Sequence, residues 1–211
     1  MNENLILKYF KPSSDTEIAI AKIDTLNQGA DHVKLKVSGS KSEERMNQLR
    51  ASHVLVNELV QPNISIQRSR RGKPKLVGHE ANISISHTDN YMSMILGRNE
   101  GIAIDIELLE RDASRFATRY TNPEEQKMVA NTGLINPLIH IWGVKECLFK
   151  SIDQEGVLFK EHLIIERVEQ TESNLFVSQC WVKHPKTTCI INVNTRIFEP
   201  LIVSYITETT D

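Results

Sequence analysis

An α+β molecule made of two similar halves is what this sequence predicts, and three features lead there. The 211 residues are 40% hydrophobic and 25% charged, a globular balance with enough apolar mass for a core. Strand-like runs gather around two long helical stretches, in the order strands, helix, strands, helix, strands. No Pro/Gly-rich linker separates the two sets. The halves, 1–97 and 98–211, are therefore expected to pack as a pseudo-twofold pair. Each would lay one long helix on a small, mostly antiparallel sheet, with a site at their junction.

Leu5–Phe10 and Ile18–Ile23 read as strands. Ser42–Val60 reads as a helix, because Met46, Leu49, Val54, Leu55, Leu59 and Val60 recur at roughly helical spacing and Pro62 follows the end. Ile64–Gln67, Ala81–Ser86, Tyr91–Leu96 and Ile102–Glu107 read as strands. Asn122 followed by Pro123 marks a helix start, an N-cap and then a proline in the first turn. A second long helix is expected over about Pro137–Ile152. Strands follow at Leu163–Arg167, Leu175–Val182, Thr187–Val193 and Leu201–Ile206.

The bulk numbers also narrow the function. A net charge of -2 and 6% aromatic residues argue against a general nucleic-acid binder. No apolar run approaches the ~20 residues of a membrane span. The start lacks a cationic and then apolar leader, so a cytoplasmic protein is expected. Three cysteines, without a CxxC pair or companion His spacing, are expected as reduced thiols packed as small hydrophobes.

Four stretches hold chemistry. In Gly101-Ile-Ala-Ile-Asp105-Ile-Glu107, both carboxylates fall on one side of a strand and Ile102, Ile104 and Ile106 on the other. That is either a half-buried strand with a wet face or a pair of hard-cation ligands. Trp142, Glu146 and Lys150 line up at i, i+4 and i+8. They form either a helix surface with a Glu–Lys pair or a third metal ligand, or base, beside an anion clamp. Lys145 lies one residue off that stripe, where a solvated or paired lysine is expected. Arg68, Arg70, Arg71, Lys73 and Lys75 surround a Gly72/Pro74 turn, which is either a solvated hairpin or a phosphate-binding loop. Asn82-Ile-Ser-Ile-Ser86-His87-Thr88 ends a strand in hydroxyls and an imidazole, which are either structural or phosphate ligands.

Taken in order, Gly-Lys-Pro, Ile-Ser-His, Asp-Ile-Glu and Trp-x-x-Lys-Glu-x-x-x-Lys resemble the 4′-phosphopantetheinyl transferases, in particular the longer monomeric type that activates peptide synthetases. The resemblance implies transfer of 4′-phosphopantetheine from coenzyme A to a serine of an apo acyl or peptidyl carrier protein, with release of 3′,5′-ADP. It implies Mg²⁺, with Mn²⁺ as an alternative, held by Asp105, Glu107 and Glu146. Lys150 would contact the diphosphate. Lys73, Ser86 and His87 would bind the coenzyme A phosphates, and Glu146 would be the base. No membrane or nucleic-acid partner is implied, and a monomer is expected. Several positions depart from the family pattern: His53 where Arg is frequent, Thr88 for Ser, and Gly143 and Cys147 in the long helix. A helix glycine costs up to ~1 kcal/mol relative to alanine.

Two alternatives stand beside this reading. One is a non-catalytic coenzyme A or carrier-protein binding module of the same fold. The other is a different Mg²⁺-dependent phosphotransferase, against which no P-loop pattern is present. Leu134, Ile135 and Leu138 are candidates for a docking surface, though core packing competes.

Overall fold

The computed structural model describes residues 4–28, 42–62 and 64–208. Residues 1–3, read above for a leader, lie outside this range. The chain forms two compact units, Met1–Arg98 and Asn99–Asp211. Each combines an antiparallel sheet with a long helix, so the α+β class holds.

The first unit contains β1 (Lys8–Ser13), β2 (Thr16–Lys22), α1 (Ile23–Gln28), α2 (Glu43–Leu59), β3 (Ile66–Arg68), β4 (Pro74–Leu76), β5 (Asn82–Thr88) and β6 (Tyr91–Gly97). The sheet order is β1-β2-β6-β5-β4-β3. The Ser42 side chain caps α2 by accepting from the Arg45 N–H. Ala51, Val54 and Leu55, three and four apart, turn one face of α2 toward Ala19, Ala21, Met92 and Met94 of the sheet. The short α1 and the three-residue β4 go beyond the sequence expectations. Neither is long enough to show a period.

The second unit contains β7 (Ala103–Leu108), α3 (Ala117–Tyr120) after a 3-10 turn at Ser114–Phe116, α4 (Pro123–Ala130), α5 (Pro137–Ile152), α6 (Phe159–His162), β8 (Leu163–Glu172), β9 (Leu175–His184), β10 (Thr187–Phe198) and β11 (Leu201–Ile206). The sheet order is β7-β11-β10-β9-β8, so the acidic strand β7 lies at one edge, paired to β11. Asn136 caps α5, Pro137 opens it, and Asp153 ends it in a left-handed conformation at φ 44°. The inner face of α5, with Ile141, Val144, Cys147 and Leu148, packs against Ile191, Val193 and Ile206 of the sheet. All three cysteines are free, and Cys147 and Cys180 are buried in this core. Among the described residues no helix is long and apolar enough to cross a membrane.

Candidate active site

The site is built where α5 crosses β7. Alternation on β7 puts Asp105 and Glu107 on one face, while Ile104 and Ile106 point the other way. The carboxylate face is not wet: Asp105 is 4% exposed and Glu107 6%. What makes this tolerable is α5, which supplies a cation and a donor. The Lys150 ammonium donates to Asp105 Oδ1 at 2.7 Å and to the Ile104 carbonyl at 3.0 Å. The Trp142 indole N–H donates to Glu107 Oε1 at 2.9 Å, and Arg111 bonds the other oxygen.

Close approach of helix and sheet depends on Gly143. A Cβ built there would stand 2.9 Å from Ser204 Oγ and 3.6 Å from Asp105 Oδ2. Ser204 is the β11 partner of Asp105, and its hydroxyl is 3.0 Å from Thr195 Oγ1. One turn on, the Cys147 thiol donates to the Ser204 carbonyl at 3.1 Å. The glycine that looks costly in a helix is thus the residue that lets α5 sit low over the acidic strand.

Glu146 shares the Trp142–Lys150 stripe. Its carboxyl is pushed up to about 7, mainly by burial and then by the charge of Asp105, with Glu107 adding and Lys150 opposing. Burial works against the Lys150 ammonium, but Asp105, Cys147 and Glu146 together raise it above its usual range.

This donor set suits a hard divalent cation. Three carboxylates lie close enough for two of them to hold the proton on the third, and a cation relieves that repulsion. Among the described residues no three His, Cys, Asp or Glu side chains stand in ready metal-ligating geometry. Asp105 and Glu107 are engaged by Lys150, Trp142 and Arg111, so ligation would require them to share or exchange these partners.

The remaining candidates sit in the first unit. Lys73 lies in the turn between β3 and β4, where its backbone N–H donates to Ser69 Oγ at 3.1 Å and Gly72 takes φ +88°. Arg68 closes the same turn on the Gly72 carbonyl. Ser86 and His87 are adjacent on β5 and so face opposite sides of the sheet, Ser86 buried and His87 exposed. His53 on α2 is half-buried, and burial lowers its pKa.

Of the two expectations for Lys145, solvated or paired, the structure shows the paired one. Lys145 is fully buried and bonds both Glu125 oxygens at 2.9 Å and the Phe159 carbonyl at 3.2 Å. Glu125 also accepts from Thr121, from the Asn122 N–H and from the Ile165 N–H, tying α4, α5 and β8 together. Glu125 stands outside the four stretches that hold chemistry in the sequence. Its one signal was its place three residues after the Asn122 cap, the capping-box position. Arg111 carried no signal, because it reaches Glu107 across a turn rather than along a helix.

Beside Glu146 opens a groove of about 780 Å³ with Trp142, Phe159, Phe149 and Phe116 among its lining. Trp142 stacks on Phe159 at 5.7 Å and meets Tyr120 edge-on at 5.2 Å.

Residues 101–198, a little under half of the chain, match the family model described as the 4′-phosphopantetheinyl transferase superfamily. The matched span holds Asp105, Glu107, Glu146 and Lys150, and the groove as well. No curated protein matches the chain.

Proposed function

We propose that this chain transfers the 4′-phosphopantetheine group of coenzyme A to a serine of an apo acyl or peptidyl carrier protein. The observation that carries the reading is the meeting of Asp105, Glu107 and Glu146 with Lys150 at one site, within the span similar to that superfamily. In the reaction the serine oxygen bonds to the β-phosphorus of coenzyme A. The bridging P–O bond breaks, 3′,5′-ADP leaves, and the serine proton goes to a base. Mg²⁺, held by Asp105, Glu107 and Glu146, would neutralise and align the diphosphate. Lys150, four residues from Glu146, would bind the same phosphate oxygens. Glu146, once a cation has displaced its own proton, would be a carboxylate placed to take the serine proton. Lys73, Ser86 and His87 would bind the coenzyme A phosphates.

The test is intact-mass spectrometry of an apo acyl carrier protein and an apo peptidyl carrier domain after incubation with the protein, coenzyme A and Mg²⁺. A gain of one phosphopantetheine, abolished by EDTA, is expected. No gain on any carrier, with coenzyme A still bound, would overturn the transferase reading and favour a binding module.

A further inference from the structure

We infer that Arg111 is a displaceable guard on Glu107: it occupies one carboxylate oxygen in the cation-free protein and yields that oxygen when a divalent cation enters. The inference rests on the cation site proposed above. Glu107 is held at both oxygens. The Trp142 indole N–H donates to Oε1 at 2.9 Å, and the Arg111 guanidinium donates to Oε2. A cation that ligates Glu107 must therefore take an oxygen that already has a donor, and the way each donor is anchored decides which one gives way. Trp142 is fixed on α5, stacked on Phe159 at 5.7 Å and edge-on to Tyr120 at 5.2 Å. The Arg111 side chain is 53% exposed, whereas that of Glu107 is only 7% exposed. An ion pair with one partner half in water costs less to open than a buried one, because the freed cation is hydrated at once.

The stem of Arg111 stays in place during this exchange. The Asn136 side-chain amide donates to the Arg111 carbonyl at 3.0 Å and to the Leu109 carbonyl at 2.8 Å. Its Oδ1 accepts from the Ile139 N–H at 3.3 Å, so the same residue caps α5. The backbone of the turn is thereby tied to the helix that supplies Trp142, and the guanidinium can swing away by side-chain rotation alone. Charge gives the swing its direction. Asp105 is matched by Lys150 at 2.7 Å and Glu107 by Arg111. A divalent cation brings two further positive charges to these carboxylates and repels both side chains. The Lys150 ammonium is also bonded to the Ile104 carbonyl at 3.0 Å, and its side chain is 25% exposed. Arg111, with water behind it, is the cation that leaves. Trp142 remains on Oε1 and orients the ligand. Arg111 and Trp142 thus act on cation affinity with opposite sign, although they bond the same carboxylate.

The experiment is calorimetric titration of Mg²⁺ into the full chain as wild type, Arg111→Gln, Arg111→Lys and Arg119→Gln, with tryptophan-fluorescence melts to verify folding. Arg111→Gln should bind Mg²⁺ about tenfold more tightly than wild type, because the competitor for Glu107 is gone. Arg111→Lys keeps a cation without the guanidinium fork and should fall between the two. Arg119→Gln removes the same charge from the groove beside Glu146, where that guanidinium lies over the Phe116 ring, and should stay within about twofold of wild type. Equal gains in Arg111→Gln and Arg119→Gln would show that net charge rather than the bond to Glu107 sets the affinity, and would overturn the inference. Weaker binding by Arg111→Gln would make Arg111 a support of ligand geometry and overturn it too, as would an affinity equal to that of wild type. Absence of Mg²⁺ binding in both proteins overturns it even where the wild type modifies an apo carrier protein. If the wild type neither binds Mg²⁺ nor modifies any carrier, the transfer reading itself falls, and this inference with it.

Discussion

Glu146 holds or releases its proton according to the charges around it. Burial and the neighbouring carboxylates keep that proton on up to about pH 7, and a cation among the three carboxylates would drive it off. Mg²⁺ affinity should therefore rise with pH up to about 7 and level off above, with proton release on binding near pH 6.5. Calorimetry in two buffers of different ionisation enthalpy measures this directly, and Glu146→Gln should abolish the release. Equal Mg²⁺ affinity at pH 6 and pH 8 in the wild type would count against it. Trp142 would act on the proposed cation site through position, by its hold on Glu107. Trp142→Phe removes the N–H that holds Glu107 and keeps an aromatic ring to pack on Phe159 and Tyr120. We expect about 10–100-fold weaker Mg²⁺ binding in a protein that melts close to wild type. A wild-type Mg²⁺ affinity would remove Trp142 from the site.

Between α5 and the sheet, one glycine and one serine settle the spacing. Gly143→Ala gains up to about 1 kcal/mol of helix propensity, but its Cβ displaces the Ser204 hydroxyl from Thr195. Alone, the substitution should be neutral or destabilising. In a Ser204→Ala background the same change should stabilise, giving a coupling of about 1 kcal/mol in a double-mutant cycle. Additive effects would mean that the contact does not govern the helix position. The Lys145–Glu125 pair works across α4, α5 and β8. Lys145→Met should cost about 3–5 kcal/mol in urea unfolding, since it leaves a buried carboxylate without its cation. A loss under about 1 kcal/mol would show that Glu125 is satisfied by Thr121 and the backbone N–H groups alone.

These same elements show what the sequence could disclose. The Asp105/Glu107 alternation and the Glu146/Lys150 spacing were legible because each pair lies within one element of known period. The partners that decide their state were not. Arg111 comes from a turn, and Lys145 is matched by a glutamate on another helix. Gly143 shows only its helix cost until Ser204 is beneath it. Likewise α1, α3 and α6 span too few residues to carry a period. Ser86 and His87, neighbours in sequence, part to opposite sides of β5 as any adjacent strand pair must.

At the scale of the whole molecule, two titratable groups on α5, the buried His140 and the half-buried Glu146, should set opposing pH dependences. His140 is fully buried, with Nε2 3.0 Å from Ser178 Oγ, and burial pushes its pKa down to about 3. Between that value and its ordinary 6.5 the unfolded chain binds a proton that the folded chain refuses, so stability falls as pH falls through this window. Glu146 runs the other way. Between 4.5 and about 7 the folded chain binds the proton that the unfolded chain has lost, so stability falls as pH rises. From 4.5 to 6.5 the two slopes oppose each other, and each variant should expose the other's. His140→Gln should be more stable at pH 5 than at pH 7.5, and Glu146→Gln should be less stable at pH 5 than at pH 6.5. Mg²⁺, by displacing the Glu146 proton, should tilt the wild type in the same direction as Glu146→Gln. The probe is already in the chain. Both tryptophans, Trp142 and Trp181, belong to the second unit, as do His140 and Glu146, so fluorescence excited at the indole band follows the unfolding of that unit even if the two units melt separately. Parallel pH profiles for the two variants would show that neither group titrates as its burial demands.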